Sequence, residues 1–350
     1  MPSDRGTGAT LRWLTVLPIV ALASVLLLAV IAPATAQRAV LPLTVAGLLI
    51  GIPHGAVDYL VPRWVDLTAT RSATKRLIRT YLSGAILAST ALIAAPTVAV
   101  LAFLLLSALH FGTAESAFVA ERRGQVTPRP WARPLASSAH GATVVGLLLW
   151  ARPDEVDPWL RRLAPGAADI TAALRAPGLV LLCALMLGQL AARLVRIRAA
   201  AAEGVGTAAA RRGTVRDEAL PLAEQALLLT TFAVVPPLMA FGMYFGCWHA
   251  ARHTGRLLDV ARRPGDRDWR PATRRLVTAS LAPSSVAFAV MAGLLLAGGH
   301  APLLAVVAVV LALTFPHSAL VWAFDLRRHD QHRPTEAVPG RGADAVALQA

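Results

Sequence analysis

Apolar residues in this chain run almost uninterrupted for fifteen to twenty positions at a time, then give way to short clusters dominated by arginine. Such runs lie near 13–34, 39–61, 77–95, 97–118, 135–151, 170–192, 220–235, 238–253, 276–297 and 303–324. A hydrocarbon core about 30 Å thick takes ~20 helical residues to cross. A soluble protein would instead show amphipathic stripes. The pattern therefore predicts an all-α fold, a polytopic transmembrane helix bundle of about ten spans. Composition agrees, with 56% hydrophobic and 15% charged residues among 350 and a mean hydropathy of +0.57.

Loop charge sets the direction of the spans, because Lys and Arg favour the cytoplasmic side. Residues 63–79 hold Arg63, Arg71, Lys75, Arg76 and Arg79 against Asp66, and Arg122, Arg123, Arg129 and Arg133 follow the fourth run. Asp154, Glu155, Asp157 and Asp169 make the next connection acidic, which suits the outside. Both 193–218 and 252–275 are Arg-rich, so 219–252 must cross twice or dip in and return. Pro236-Pro237 breaks any helix at its midpoint. Each arm then has about 15–17 residues, roughly 22–26 Å. Ten spans with both termini cytoplasmic follow, with eight spans plus a re-entrant hairpin at 219–253 as the alternative. Residues 1–36 read as a first transmembrane helix or, from Ala34-x-Ala36, a signal-like segment. Residues 37–326 form the membrane domain, and the polar stretch 327–350 is expected to be a disordered cytoplasmic tail.

The net charge of +14 would suggest nucleic acid in a soluble chain. Here most of the arginine flanks apolar runs, where it means orientation and contact with the lipid bilayer, so no nucleic-acid partner is expected. Cys183 and Cys247 fall inside apolar runs and form no disulfide framework.

The chemistry rests on histidine. Of nine histidines, His300, His329 and His332 lie in a turn or the tail and are expected to face solvent, while His54, His110, His140, His249, His253 and His317 fall in spans. An ionisable group there is costly and points to function. His249 and His253 are four residues apart and share a helical face. In the ten-span topology spans two, four, eight and ten run in the same direction, so His54, His110, His249 and His253 arrive at one depth in the cytoplasmic half. His317 and His140 fall in that half too. His140, beside Ser137, Ser138 and Gly141, reads as an interhelical hydrogen-bond partner. Asp58, four residues after His54, is placed to accept that imidazole's second N–H. Gly55 and Gly112 leave room for close approach. Imidazole suits Zn, Cu, Fe and Ni, and ligand type alone does not choose among them.

At these residues the chain resembles the Brp/Blh family of β-carotene 15,15′-dioxygenases. The matching pieces are Gly51-Ile-Pro-His54-Gly-Ala-Val-Asp58, His110-Phe-Gly112, His249-Ala-Ala-Arg-His253 and Pro316-His317. The resemblance implies a multi-pass enzyme of the bacterial plasma membrane that uses Fe(II), held by His54, His110, His249 and His253, and O2 to cleave β-carotene into two retinals. It leaves the role of His317 unassigned, sets Glu115 where an acidic partner is expected, and makes a retinal acceptor such as a rhodopsin a candidate downstream partner. Phe111, Tyr59, Tyr244, Phe245 and Trp248 neighbour the ligands and are candidates to line a polyene tunnel. Two other classes compete: a non-enzymatic carotenoid- or haem-binding protein or transporter, and another metal-dependent membrane lipid enzyme.

Overall fold

Proline marks where the helices start. Pro33, Pro96, Pro134, Pro153, Pro165 and Pro237 each occupy the first turn of a helix, where the missing N–H has no partner to lose and the fixed φ suits the helix. The computed structural model describes residues 5–61, 71–202, 208–263, 265–266, 268–297 and 302–331. The predicted turn histidine His300 and tail histidine His332 lie outside these residues, as do residues 333–350 of the expected tail.

Among the described residues the fold is all-helical. Helix α1 (Arg5–Ile31) leads into α2 (Pro33–Gly51), which tightens into a 3₁₀ segment at Ile52–Leu60. Helices α3 (Arg71–Ala94) and α4 (Pro96–Arg122) follow. Then come α5 (Pro134–Trp150), two short helices at Pro153–Leu163 and Pro165–Ala173, and α6 (Arg175–Ala202). Helix α7 (Ala208–Val234) stops before Pro236-Pro237, and α8 covers 237–261 with a π-helical turn at Tyr244–Ala250. Helices α9 (Arg270–Ala297) and α10 (Pro302–Gln331) complete the bundle.

Among the described residues, seven helices are long and apolar enough to span a bilayer, or eight counting the bent pair Pro134–Trp150 and Pro153–Leu163. Helices α7 and α8, on which the reading of ten crossings depends, are not among them. Their arms are also longer than the predicted 15–17 residues, because the helices continue past the apolar stretch into residues such as Glu218 and Arg256. The break falls at Pro236, as expected. Helix α10 continues to Gln331, past Arg327, where the tail is expected to start. Arg328 pairs there with Asp259, and His329, read as solvent-exposed, donates from Nδ1 to Thr127 O at 2.9 Å.

The inner helices approach closely through glycine. A Cβ on Gly47 of α2 would sit 2.0 Å from Gly242 O of α8, and one on Gly246 would sit 2.3 Å from Gly47 O. Gly112 of α4 meets Ser137 O of α5 in the same way, at 2.0 Å. These contacts, together with α1 against α7 and α3 against α10, draw the polar segments inward. The outward faces stay apolar, with Leu87 70% and Val180 70% exposed, as a lipid-facing surface requires.

Candidate metal centre

Four chain segments bring five histidines together at the centre of the bundle. His54 comes from the 3₁₀ segment, His110 from α4, His249 and His253 from α8, and His317 from α10. Their ring centroids stand 4.8 Å apart for His54–His317, 4.9 Å for His110–His249, 5.3 Å for His54–His249 and 5.5 Å for His253–His317. All five are buried. His249 and His253 stack nearly parallel at 6.4 Å, the shared face that their spacing predicts. The π-helical turn supplies His249, and such turns are frequent at functional sites.

Hydrogen bonds fix which nitrogens face the cluster. His54 Nδ1 lies 2.5 Å from Gly51 O, and a carbonyl only accepts, so Nδ1 carries the proton and Nε2 is left as the lone-pair nitrogen. His317 Nδ1 donates to Asp58 Oδ2 at 2.8 Å, which fixes Nε2 of that ring in the same way. His54 Nε2, His317 Nε2 and both nitrogens of His253 have no protein partner among the described residues. His110 Nε2 and His249 Nε2 stand 3.2 Å apart, a distance at which two lone pairs repel unless a proton or cation lies beside them. Leaving one buried polar atom unsatisfied costs roughly 1–3 kcal/mol. A cluster with several such atoms suits a bound cation. One nitrogen from each of His54, His249 and His317 lies within 4.8 Å of the other two.

Several sequence expectations change here. Asp58 serves His317 rather than His54, and the cause is local geometry. In an α-helix four residues return to within about 40° of the same face, but at three residues per turn they end about 120° away. Tyr81 of α3 adds a second hydrogen bond to Asp58 Oδ2, at 3.3 Å. Glu115 does not reach the histidines: it accepts from Arg252 and, at 3.2 Å, from Trp248 Nε1. Trp248 is thereby turned toward Glu115 and lies under the Arg252 guanidinium, 3.9 Å from the ring centroid. Tyr59 points the other way, donating to Ala279 O at 3.2 Å. Tyr244 is held by His140 Nε2 at 2.9 Å, so His140 is the interhelical partner its neighbours suggested. A Cβ on Gly55 would meet His317 at ordinary contact distance, 3.5 Å from Nδ1, whereas Gly112 is a true close approach.

Aromatic rings wall one side of the cluster. Phe111 lies 4.8 Å from His249 and Phe245 lies 5.5 Å from His54, with Phe241 stacked on Phe245 at 6.0 Å. Behind the histidines lies a set of buried ion pairs that loop-charge counting missed. Arg252 bonds Glu115 and Glu224, with Glu224 Oε1 at 2.6 Å, and Arg256 bonds Glu121 at 2.9 Å and Asp325 at 2.5 Å. Arg252 and Arg256 are each only 2% exposed. The available signal was their spacing: Arg252 follows His249, and Arg256 follows His253, by three residues on the same helix.

The sequence profile of a family described as beta-carotene 15,15′-dioxygenase matches residues 45–325, a stretch that includes all five histidines. The chain is also similar to the probable beta-carotene 15,15′-dioxygenase Blh of Halobacterium salinarum, 30% identical over 331 residues, covering 81% of this chain and 84% of that protein. No solved structure matches it.

Proposed function

We propose, from the premise that this chain belongs to the β-carotene 15,15′-dioxygenase family and is a carotenoid-cleaving dioxygenase, that its five-histidine centre is an Fe(II) site. The reaction proposed is cleavage of the central double bond of β-carotene by O2. Each carbon of that bond takes one oxygen, giving two molecules of retinal with no further reductant. The observation behind this reading is the buried cluster itself, with imidazole nitrogens that no protein group satisfies. His54, His110, His249 and His253 are the proposed ligands, and His317 is a fifth imidazole facing the same space. Neutral imidazoles suit iron among the transition metals. Bound Fe(II) supplies the redox chemistry toward O2.

The remaining work falls to the chain. Gly51 O and Asp58 hold His54 and His317 in one tautomer and orientation, as second hydrogen bonds do for metal-bound imidazoles. Phe111, Phe241 and Phe245 form an apolar wall beside His249 that favours a polyene and keeps water out. A C40 carotene is itself confined to the bilayer. Entry between helices from lipid avoids carrying its apolar surface through water.

Expression in a bacterium that accumulates β-carotene tests the reading. Loss of carotene with retinal appearing supports it, and unchanged carotene with full-length protein in the membrane overturns it. In purified protein His249→Ala is expected to remove bound iron and lower cleavage by on the order of 10²-fold or more. Retained iron and activity in that variant would dismiss the ligand set. His317→Ala against His253→Ala, compared by iron content, decides which ring is the fourth ligand.

A further inference from the structure

A second polar site has none of the five clustered histidines in its lining. A cavity of about 440 Å³ opens between α4, α5, α6 and α7, within the size of small-molecule sites, roughly 300–1,000 Å³. Trp248, His140 and Glu224 are among its buried lining, and Arg123, Arg133, Arg193 and Arg196 line it as well. Three of these arginines converge on one carboxylate. Glu218 accepts from Arg193 at 2.9 Å, from Arg123 at 3.2 Å and from Arg196 at 3.1 Å. The other two carboxylates of the lining, Glu115 and Glu224, are matched by Arg252 and Arg122. Among the described residues Arg133 has only the neutral Gln125 carboxamide as its partner, at 2.7 Å. The lining thus keeps an excess of positive charge inside a partly apolar pocket.

Two further features aim at an anion. Arg193 is 8% exposed, yet its Nε has no partner among the described residues. Pro134, Leu135 and Ala136, the first turn of α5, line the same cavity, and no side chain caps that turn. The positive end of a helix with free N–H groups is a ready anion site. Arginine clusters at such a place favour phosphate, whose oxygens accept two N–H groups from one guanidinium.

We propose that this cavity binds a phosphate group, either the headgroup of an anionic phospholipid or a free phosphate, held by Arg133, Arg193, Arg196 and the first turn of α5. The site is separate from the metal centre and does not depend on what that centre does. Its apolar share, including Val119, Leu135 and Leu228, suits the glycerol and upper acyl region of a lipid.

The test uses the full-length protein in a neutral detergent and reads its melting temperature. Phosphatidylglycerol, phosphatidylcholine and inorganic phosphate are titrated separately. A ligand of the folded state at about a hundred times its Kd is expected to raise the melting temperature by several degrees. A rise with phosphatidylglycerol alone identifies a lipid headgroup. A rise with inorganic phosphate, with or without the lipid, identifies the phosphate as sufficient. Arg133→Gln, at a half-buried position with no ion-pair partner among the described residues, is expected to weaken the effective ligand about tenfold. Arg161→Gln removes the same charge from an exposed pair with Asp169 and is expected to leave the titration unchanged. The proposal is overturned if no anion raises the melting temperature above the phosphatidylcholine control. It is equally overturned if the two variants respond alike.

Discussion

Helices α3 and α6 differ from α7 and α8 in what they bury. Only 6% of the apolar window of Lys75–Ala94 is buried, and 17% of that of Arg175–Ala199, so those helices present side chains to lipid over most of their surface. Helix α8 instead buries Tyr244, Trp248, His249, Arg252, His253 and Arg256, and α7 buries Glu218, Glu224 and Gln225. A helix must be apolar wherever it faces lipid. One enclosed by other helices can carry charge, provided each charge meets a partner. Hydropathy therefore reads α3 and α6 directly and undervalues α7 and α8, although α8 carries two of the five clustered histidines.

The contrast is broken most severely at Arg252. This guanidinium joins α8 to Glu115 of α4 and Glu224 of α7, and it sits between two cluster histidines in sequence. Arg252→Met leaves the partly buried Glu115 with no cation among the described residues and the buried Glu224 with Arg122 alone. Breaking a buried pair on one side costs about 3–5 kcal/mol, and thermal unfolding of the purified protein measures it. Adding Glu115→Gln to that variant is expected to return part of the loss, since Arg252 is the cation that Glu115 pairs with among the described residues. If Arg252→Met unfolds like the parent, the inner ion pairs do not organise the bundle.

A smaller effect is expected at Asp58, which holds His317 but lies outside the cluster. Asp58→Asn keeps the size and replaces the carboxylate with a group that fixes the imidazole less firmly. With His317 as the fourth ligand in place of His253, iron affinity is expected to fall about 10–100-fold with little change in melting temperature. A metal titration of the purified protein separates the two quantities. An unchanged affinity would mean that His317 takes no part in metal binding.

Much of this architecture is legible in the chain itself. The apolar runs locate the helices, Pro236-Pro237 marks the break between α7 and α8, and the histidine motifs point at a common depth. What escapes the sequence is direction around the helix axis. Geometry of an α-helix pairs Asp58 with His54, but the 3₁₀ segment turns it toward His317. Tyr59 and Trp248 are adjacent to cluster elements in sequence yet project toward Ala279 and Glu115. Arg252 and Arg256 count as loop charge by position, because a window average cannot tell a paired buried guanidinium from a solvated one.

The smallest effect belongs to the outer helices. Leu87 of α3 is 70% exposed, so its side chain meets lipid rather than protein. Lipid tails are about as apolar as leucine, and shortening such a side chain forms no internal cavity. Leu87→Ala is expected to change stability by less than about 0.5 kcal/mol, read by the same thermal unfolding used for Arg252→Met. A loss several times larger would show that this face is covered by protein, with a second copy of the chain the simplest cover. Helix α3 would then belong among the packed helices, and the lipid boundary would lie further out.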